Sequence, residues 1–425
     1  MKRLFFLILL VSIISSVPVS ASQHPNDGND LQTLGDYLRF ASLNNAELKA
    51  KFEQWKVALE QVPQAKALDD PKFTYSYFIE EVETRVGPQR QKFGIMQVFP
   101  WFGKIEARTD VAAAQAKAAH KKYEATKLKL FQQVKDAFYE YTYLKKATDI
   151  AEENLELLKH FEEVARIKYE TATATHPDII RAQVELAKLE DILKSLRELR
   201  QPTITRLNAI LNRSPTSQLP WPQEAQISKI EINRDKLIGL IITNNPELQG
   251  LNWEIEAAKS KVELAKKKFY PDIGVGVDWI QTDGAHSAGV RDSGKDPVIL
   301  MFSMNIPLWQ DSYKAAERQA KANISKTRQQ KIDFENKTIS KAINVLYDYE
   351  DSHRKTNLYG DTLVPKAEEL LQASEVAYKA GKVDFLSLID AQRMLLKYQL
   401  DYHRALTNHQ QKLAELEMLA GVELQ

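Results

Sequence analysis

One junction occurs twice in this chain and limits what it can fold into. Phe93-Gly94-Ile95-Met96-Gln97-Val98-Phe99 alternates like a strand and meets Pro100-Trp101-Phe102-Gly103-Lys104. It then continues, with no ordinary loop, into residues 104–169, which contain neither proline nor glycine. Within that run Phe131, Val134, Phe138 and Tyr141 step by three and four, the seam spacing of helices packed side by side. At about 1.5 Å per residue such a helix is about 100 Å long, a reach no globular core requires. Phe302-Ser303-Met304-Asn305-Ile306-Pro307-Leu308-Trp309-Gln310 repeats the junction ahead of another long helical pattern. Sheet and helix therefore meet end to end in a duplicated body.

The spacing predicts one helix over residues 31–68, where Leu34, Leu38, Ala41, Leu48, Phe52, Trp55 and Leu59 fall largely on one side and Pro71 stops the run. Phe73, Tyr75, Tyr77 and Ile79 then mark one face of a first strand, paired through a polar turn with the strand ending at Phe99. Residues 104–169 and 178–212 read as a helical hairpin broken at 170–177. The pattern then returns: Asn44-Asn45-Ala46-Glu47-Leu48 as Asn244-Asn245-Pro246-Glu247-Leu248, Pro71 as Pro271, and Tyr139-Glu140-Tyr141 as Tyr347-Asp348-Tyr349. The offset grows from 200 at the first of these to 209 at Tyr169 and Tyr378, as small insertions in one architecture would produce. The expected plan is a first repeat over 22–222 (helix, β-hairpin 72–99, helical hairpin 104–212) and a second over 223–425 (helix, β-hairpin 272–306, helical hairpin 310–420).

Lysine plus arginine (58) nearly cancel aspartate plus glutamate (57), which argues against a nucleic-acid partner. Met1-Lys2-Arg3, an apolar run and Val19-Ser20-Ala21 read as a secretory signal peptide over residues 1–21, with an N-terminal anchor as the alternative. The chain has no cysteine, so neither disulfides nor a thiol-borne lipid anchor enters the argument. Downstream of the leader no unbroken apolar stretch is long enough for a spanning helix, so any crossing of a membrane must use strands. Ile273, Val275, Val277 and Trp279, then Val298, Leu300, Phe302, Met304 and Ile306, alternate over about the 9 to 11 residues that cross an outer membrane at a tilt. Four strands do not close a barrel, because the smallest single-chain barrels use about eight, and an open edge in lipid leaves backbone groups unpaired. Three chains sharing twelve strands would satisfy them, with the helices prolonging the cylinder. Alternation alone is also compatible with a soluble sheet capping a coiled coil, the lesser alternative.

The duplicated plan, the Gln97-Val98-Phe99-Pro100-Trp101-Phe102-Gly103-Lys104 junction with its echo Ile306-Pro307-Leu308-Trp309, and Tyr378-Lys379-Ala380-Gly381-Lys382-Val383-Asp384-Phe385-Leu386 leading to Asp390-Ala391-Gln392 resemble the TolC-type outer-membrane efflux family. The likeness covers the mature chain and leans toward the branch found with metal-ion and other resistance pumps. It implies an α+β membrane protein: a homotrimer with a twelve-stranded β-barrel in outer-membrane lipid, four strands per chain, continued by a long periplasmic α-helical barrel. It also implies a Gram-negative outer-membrane location, a periplasmic membrane-fusion adaptor and an inner-membrane pump of the RND type. The function it implies is passive conduction of metal ions or drugs from periplasm to exterior. A non-conducting periplasmic coiled-coil scaffold or adaptor is the alternative.

By the same resemblance the hairpin turns would gate the tube and touch the adaptor, through Ala172, His176 and Asp178 in the first and Gly381, Lys382 and Asp384 in the second. Gly381 suits a turn with positive φ, whereas Ala172 departs from the pattern. Asp390 and Ser387 occupy the positions of a periplasmic constriction, where a ring of carboxylates would favour cations; an ordinary solvated aspartate near a helix start is an equal reading of Asp390. Asp178 and Asp384 read as helix caps. Pro100, Trp101, Pro307 and Trp309 mark the strand-to-helix junctions, and Trp101, Phe102, Trp279 and Trp309 suggest an interfacial girdle. The eight histidines form no HExxH motif and the six methionines no sequence cluster. No convergent acid, base and nucleophile set stands out, so no enzyme activity, cofactor or bound metal is expected.

Overall fold

In the computed structural model, residues 31–223 and 230–424 are described; the signal-peptide reading of residues 1–21 lies outside them. α1 (Leu34–Asn44) and α2 (Ala46–Lys66) lead to β1 (Lys72–Val82) and β2 (Gln89–Phe99), then α3 (Lys104–Glu170), α4 (His176–Glu198) and α5 (Arg200–Leu211). The order returns as α6 (Arg234–Asn244), α7 (Pro246–Lys267), β3 (Ile273–Thr282), β4 (Val298–Met304), α8 (Gln310–Leu358), α9 (Val364–Lys379) and α10 (Phe385–Ala420). The 67 residues of α3 form one unbroken helix.

Three elements differ from the reading of the residues. The helix expected over 31–68 breaks at Asn45, whose extended backbone lets its side chain cap α2 through the Leu48 amide (2.9 Å) and donate to the Ile210 carbonyl (2.9 Å). Asn245 does the same for α7, donating to the Leu419 carbonyl (2.9 Å). The run over 178–212 divides at Leu199, three residues before Pro202, whose ring lacks the N–H that would bond Glu198. β4 stops at Met304 rather than reaching residue 306, because the Asn305 side chain turns aside to accept from the Asp272 amide and Pro307 follows.

The four strands pair in chain order, all antiparallel. Register puts Tyr75, Phe93, Trp279 and Val298 in one row, and Phe73, Ile95, Val277 and Leu300 in the next. This face is apolar and uncovered: Phe73 is 66% and Phe302 72% exposed. The other face carries Thr74, Lys92, Gly94, Gly274, Gly276, Asp278 and Ser303, with Lys92 paired to Asp278 over Gly94. β1 and β4 are left as edges within the chain.

The helices carry parallel cores in the two halves. Tyr37, Phe138, Tyr141 and Leu207 pack under α1, as Leu237, Ile241, Leu346 and Tyr349 do under α6. Buried Tyr141 donates to the Leu219 carbonyl (3.2 Å), and its counterpart Tyr349 to the Ile230 carbonyl (2.9 Å). These tyrosines stand 208 apart, yet the left-handed turn residues Ala172 and Gly381 stand 209 apart. One extra residue must therefore enter α8 or α9, where there is no loop to take it. It is absorbed by a single π-helical turn, Tyr359–Leu363, between α8 and α9. Gly360 lies in that turn against the Tyr402 ring, only 2.8 Å from where a Cβ would sit.

Deleting Gly360 should return the turn to α-helix with little loss, leaving thermal unfolding of the detergent-purified protein within a few degrees of the parent. Deleting the fully buried Ala151 from regular α3 should instead rotate the rest of that helix by about 100° and lower the midpoint sharply or abolish folding.

Candidate functional site: the two ends of the helical body

At the sheet end, Pro100 stops β2 and Gly103 begins α3 at φ +80, a left-handed geometry suited to glycine. Asp272 of the second half bolts this junction: its Oδ1 accepts from the Trp101 amide (2.8 Å) and from Lys104 Nζ (2.6 Å). Lys104 Nζ also donates to the Tyr270 carbonyl (3.0 Å), and Trp101 stacks on the Tyr270 ring at 5.4 Å. The Pro307 junction has no such lock. Leu308 is 71% and Trp309 78% exposed. Trp101, Phe102 and Trp309 each lie at the helix end of the sheet, whereas Trp279 lies toward the loop end, stacked with Phe93 at 5.5 Å.

At the far end, two turns close the helical hairpins. Gly381 sits at φ +72, and Ala172, despite its Cβ, takes the same left-handed conformation at φ +55. In the first turn the Thr173 and Ala174 amides donate to the Lys168 carbonyl (2.7 and 3.1 Å); in the second the Lys382 amide donates to the Ala377 carbonyl (2.8 Å). Asp178 is the acid of a capping box, accepting from the Thr175 amide and hydroxyl (3.1 and 2.9 Å), while His176 lies against Tyr169 at 5.6 Å. Asp384 caps α10 directly, accepting from the Ser387 amide (2.9 Å) and hydroxyl (2.6 Å). The Ser387 hydroxyl is thus engaged in the cap. Its hydrogen bonds hold the Asp384 carboxyl below the usual range.

The tips are joined by a residue that sequence reasoning missed. Lys168 Nζ donates to the Tyr378 carbonyl (2.6 Å) and lies 4.8 Å over that ring. Tyr378 packs edge-on against Phe385 at 5.3 Å, and burial pushes its phenol up to about 12. Asp390 faces solvent and pairs with Arg393 at 3.0 Å. Arg393 in turn grips Glu185 of α4 through two bonds (3.0 and 2.5 Å), which hold the Glu185 carboxyl low. The charge on Asp390 is therefore partly offset within its own chain. The Asp390–Arg393 spacing of three was readable, but Glu185, distant in sequence, carried no local signal. Among the described residues no group of three or more His, Cys, Asp and Glu side chains is placed to hold a metal ion, and no helix is long and apolar enough to cross a membrane.

Replacing Ala172 by Gly removes a left-handed Cβ and should stabilise the first turn by about 1 kcal/mol, slowing amide exchange of Thr173 and Ala174 about fivefold. Asp384 and Glu185 have depressed folded-state pKa values, so the stability they add is complete above their ordinary values of 3.8 and 4.5 and disappears as pH falls through the lowered ones. Exchange at the start of α10 should accordingly rise only on strong acidification, and D384N should remove that dependence.

Comparison with known proteins places this geometry. A family model described as outer membrane efflux protein matches residues 38–213 and 237–422. Cobalt-zinc-cadmium resistance protein CzcC of Cupriavidus metallidurans is 20% identical over 96% of this chain and 93% of its own. Toxin and drug export protein A of Aggregatibacter actinomycetemcomitans is 22% identical over 41% of this chain, and the match spans only 38% of that protein. The solved outer-membrane channel OprN superposes with a TM-score of 0.77 at 16% identity, covering 91% of this chain and 89% of that one. With both matched segments together spanning most of its length, the chain belongs to the outer membrane efflux protein family, the TolC-type channels.

Proposed function

We propose that the protein is the passive outer-membrane duct of a tripartite efflux system, carrying metal ions or drugs outward for an inner-membrane pump of the RND type and a periplasmic adaptor. The observation that carries this reading is the sheet: four strands, an uncovered apolar face and two unpaired edges. Three copies joined β4 to β1 would close a twelve-stranded barrel in lipid, apolar face outward, and would cover Leu308 and Trp309 at the exposed junction. The name of CzcC supports metal cargo and that of the toxin and drug export protein supports organic cargo. We assign the chain no catalytic step of its own. Residues 1–21 act as an export leader, and 22–222 and 223–425 as two repeats of one intertwined body.

The far turns are the adaptor-facing end in this reading, presenting Ala172, His176, Asp178, Gly381, Lys382 and Asp384. Asp390 and Ser387 stand where the tube narrows, Asp390 as the charge and Ser387 as the residue that orients the Asp384 cap. Purified protein should run as a trimer and conduct ions in planar bilayers. A monomer with no conductance would favour the scaffold reading instead.

Asp390→Ala should weaken cation preference and block by multivalent cations, whereas Arg393→Ala, which frees Asp390 and Glu185 from their shared cation, should strengthen both. Unchanged single-channel behaviour in both variants would remove Asp390 from the constriction.

A further inference from the structure

The face of the sheet opposite the exposed apolar one carries two methionines in one register row. Met96 of β2 and Met301 of β4 occupy the same row, each paired in register with Gly276 of β3 between them. A Cβ at Gly276 would lie 3.2 Å from Met96 Cβ, and one at Gly274 would lie 3.6 Å from Met96 Sδ. The two missing side chains on β3 thus open a trough, and the Met96 thioether reaches across it to 3.8 Å from the Ser303 hydroxyl of β4. Ser303 stands two residues from Met301 on the same face. Methionine is a common filler of apolar cores, but Met96 here turns its thioether to a hydroxyl. Besides Val98, Ile280 and Ile299, the face carries Lys72, Thr74, Lys92, Asp278 and the exposed Ser303, and the Asp278 carboxylate is taken by Lys92.

We propose that Met96 and Met301, with the Ser303 hydroxyl, form a site for soft monovalent cations such as Ag⁺ or Cu⁺ on the inner wall of the barrel. Neutral thioether sulfur selects these ions over hard cations, which prefer oxygen. Among the described residues of these rows no free carboxylate stands beside the pair, and Lys72 of β1 faces Met96 in register, which keeps the binding weak enough for an ion to leave, as conduction requires. The location rests on the reading of this face as luminal; the binding chemistry does not. Met304, on the opposite and apolar face, serves as the internal control.

The test uses silver nitrate in chloride-free potassium nitrate, read in two ways on the detergent-purified protein. In planar bilayers micromolar Ag⁺ should reversibly lower the single-channel current. The M96L/M301L double variant should conduct K⁺ as the parent does but need about tenfold more Ag⁺ for the same block, and M304L should behave as the parent. Calorimetric titration with Ag⁺ should show binding to the parent that the double variant loses. Absence of K⁺ current in the parent would defeat the duct reading alone, leaving calorimetry to decide the site. Parent protein that binds no Ag⁺ at millimolar concentration, or a double variant that binds it equally well, overturns the proposal.

Discussion

A sheet whose apolar face and both edges are left unsatisfied is the constraint on which the rest of this structure depends. In water the exposed Phe73, Tyr77, Leu300 and Phe302 would drive aggregation, and in lipid the free edges of β1 and β4 would each strand a row of backbone groups. Only an arrangement that gives the face lipid and the edges partners removes both penalties. The uninterrupted helix α3 then follows naturally. A strand that enters it directly through Pro100 to Gly103 passes the curvature of a closed sheet to a ring of helices without a flexible linker.

Contacts that cross between the halves keep the two copies of the plan in step. Asp272 holds the Trp101 amide and Lys104 at one end, Arg404 pairs with Glu140 at 2.8 Å along the body, and Lys168 meets the Tyr378 carbonyl at the tip. Such half-buried charged pairs add modest stability because solvent screens them, but each accepts only one register of one long helix against another. A slip by one turn would break several at once. The π-helical turn at Tyr359–Leu363 is where the second half departs from this symmetry, and it leaves the helices on either side in register with their counterparts.

Much of the fold was legible because long-period patterns survive in a single sequence: period-two alternation in the strands, a glycine-free helix over residues 104–169, and equivalent tyrosines at a slowly growing offset. The breaks were less visible. Asn45 and Asn245 interrupt apolar stripes that continue across them, and their capping role depends on carbonyls at Ile210 and Leu419 far along the chain. The step in offset from 208 to 209 was present in the sequence, but no local residue signal placed the extra residue in a π turn within a continuous helix. At the tip, Gly381 announced its left-handed turn, whereas Ala172 adopts the same conformation with no signal in its residue type. The methionines looked scattered because Met96 and Met301 come into one row only through strand register on either side of Gly276.

The central claim is that one chain's sheet edges are completed by other copies of itself, and disulfide trapping tests it most directly. The chain has no native cysteine, so bonds formed by an engineered pair, one on β1 and one on β4, are unambiguous. Within a chain these strands are separated by the two between them, about 14 Å, beyond the reach of a disulfide. Scanning such pairs in intact outer membranes should give, at facing positions, a ladder of linked dimers and trimers that collapses to monomer on reduction. Monomer alone at every pair tested, with the protein folded and present in the membrane, would contradict the account.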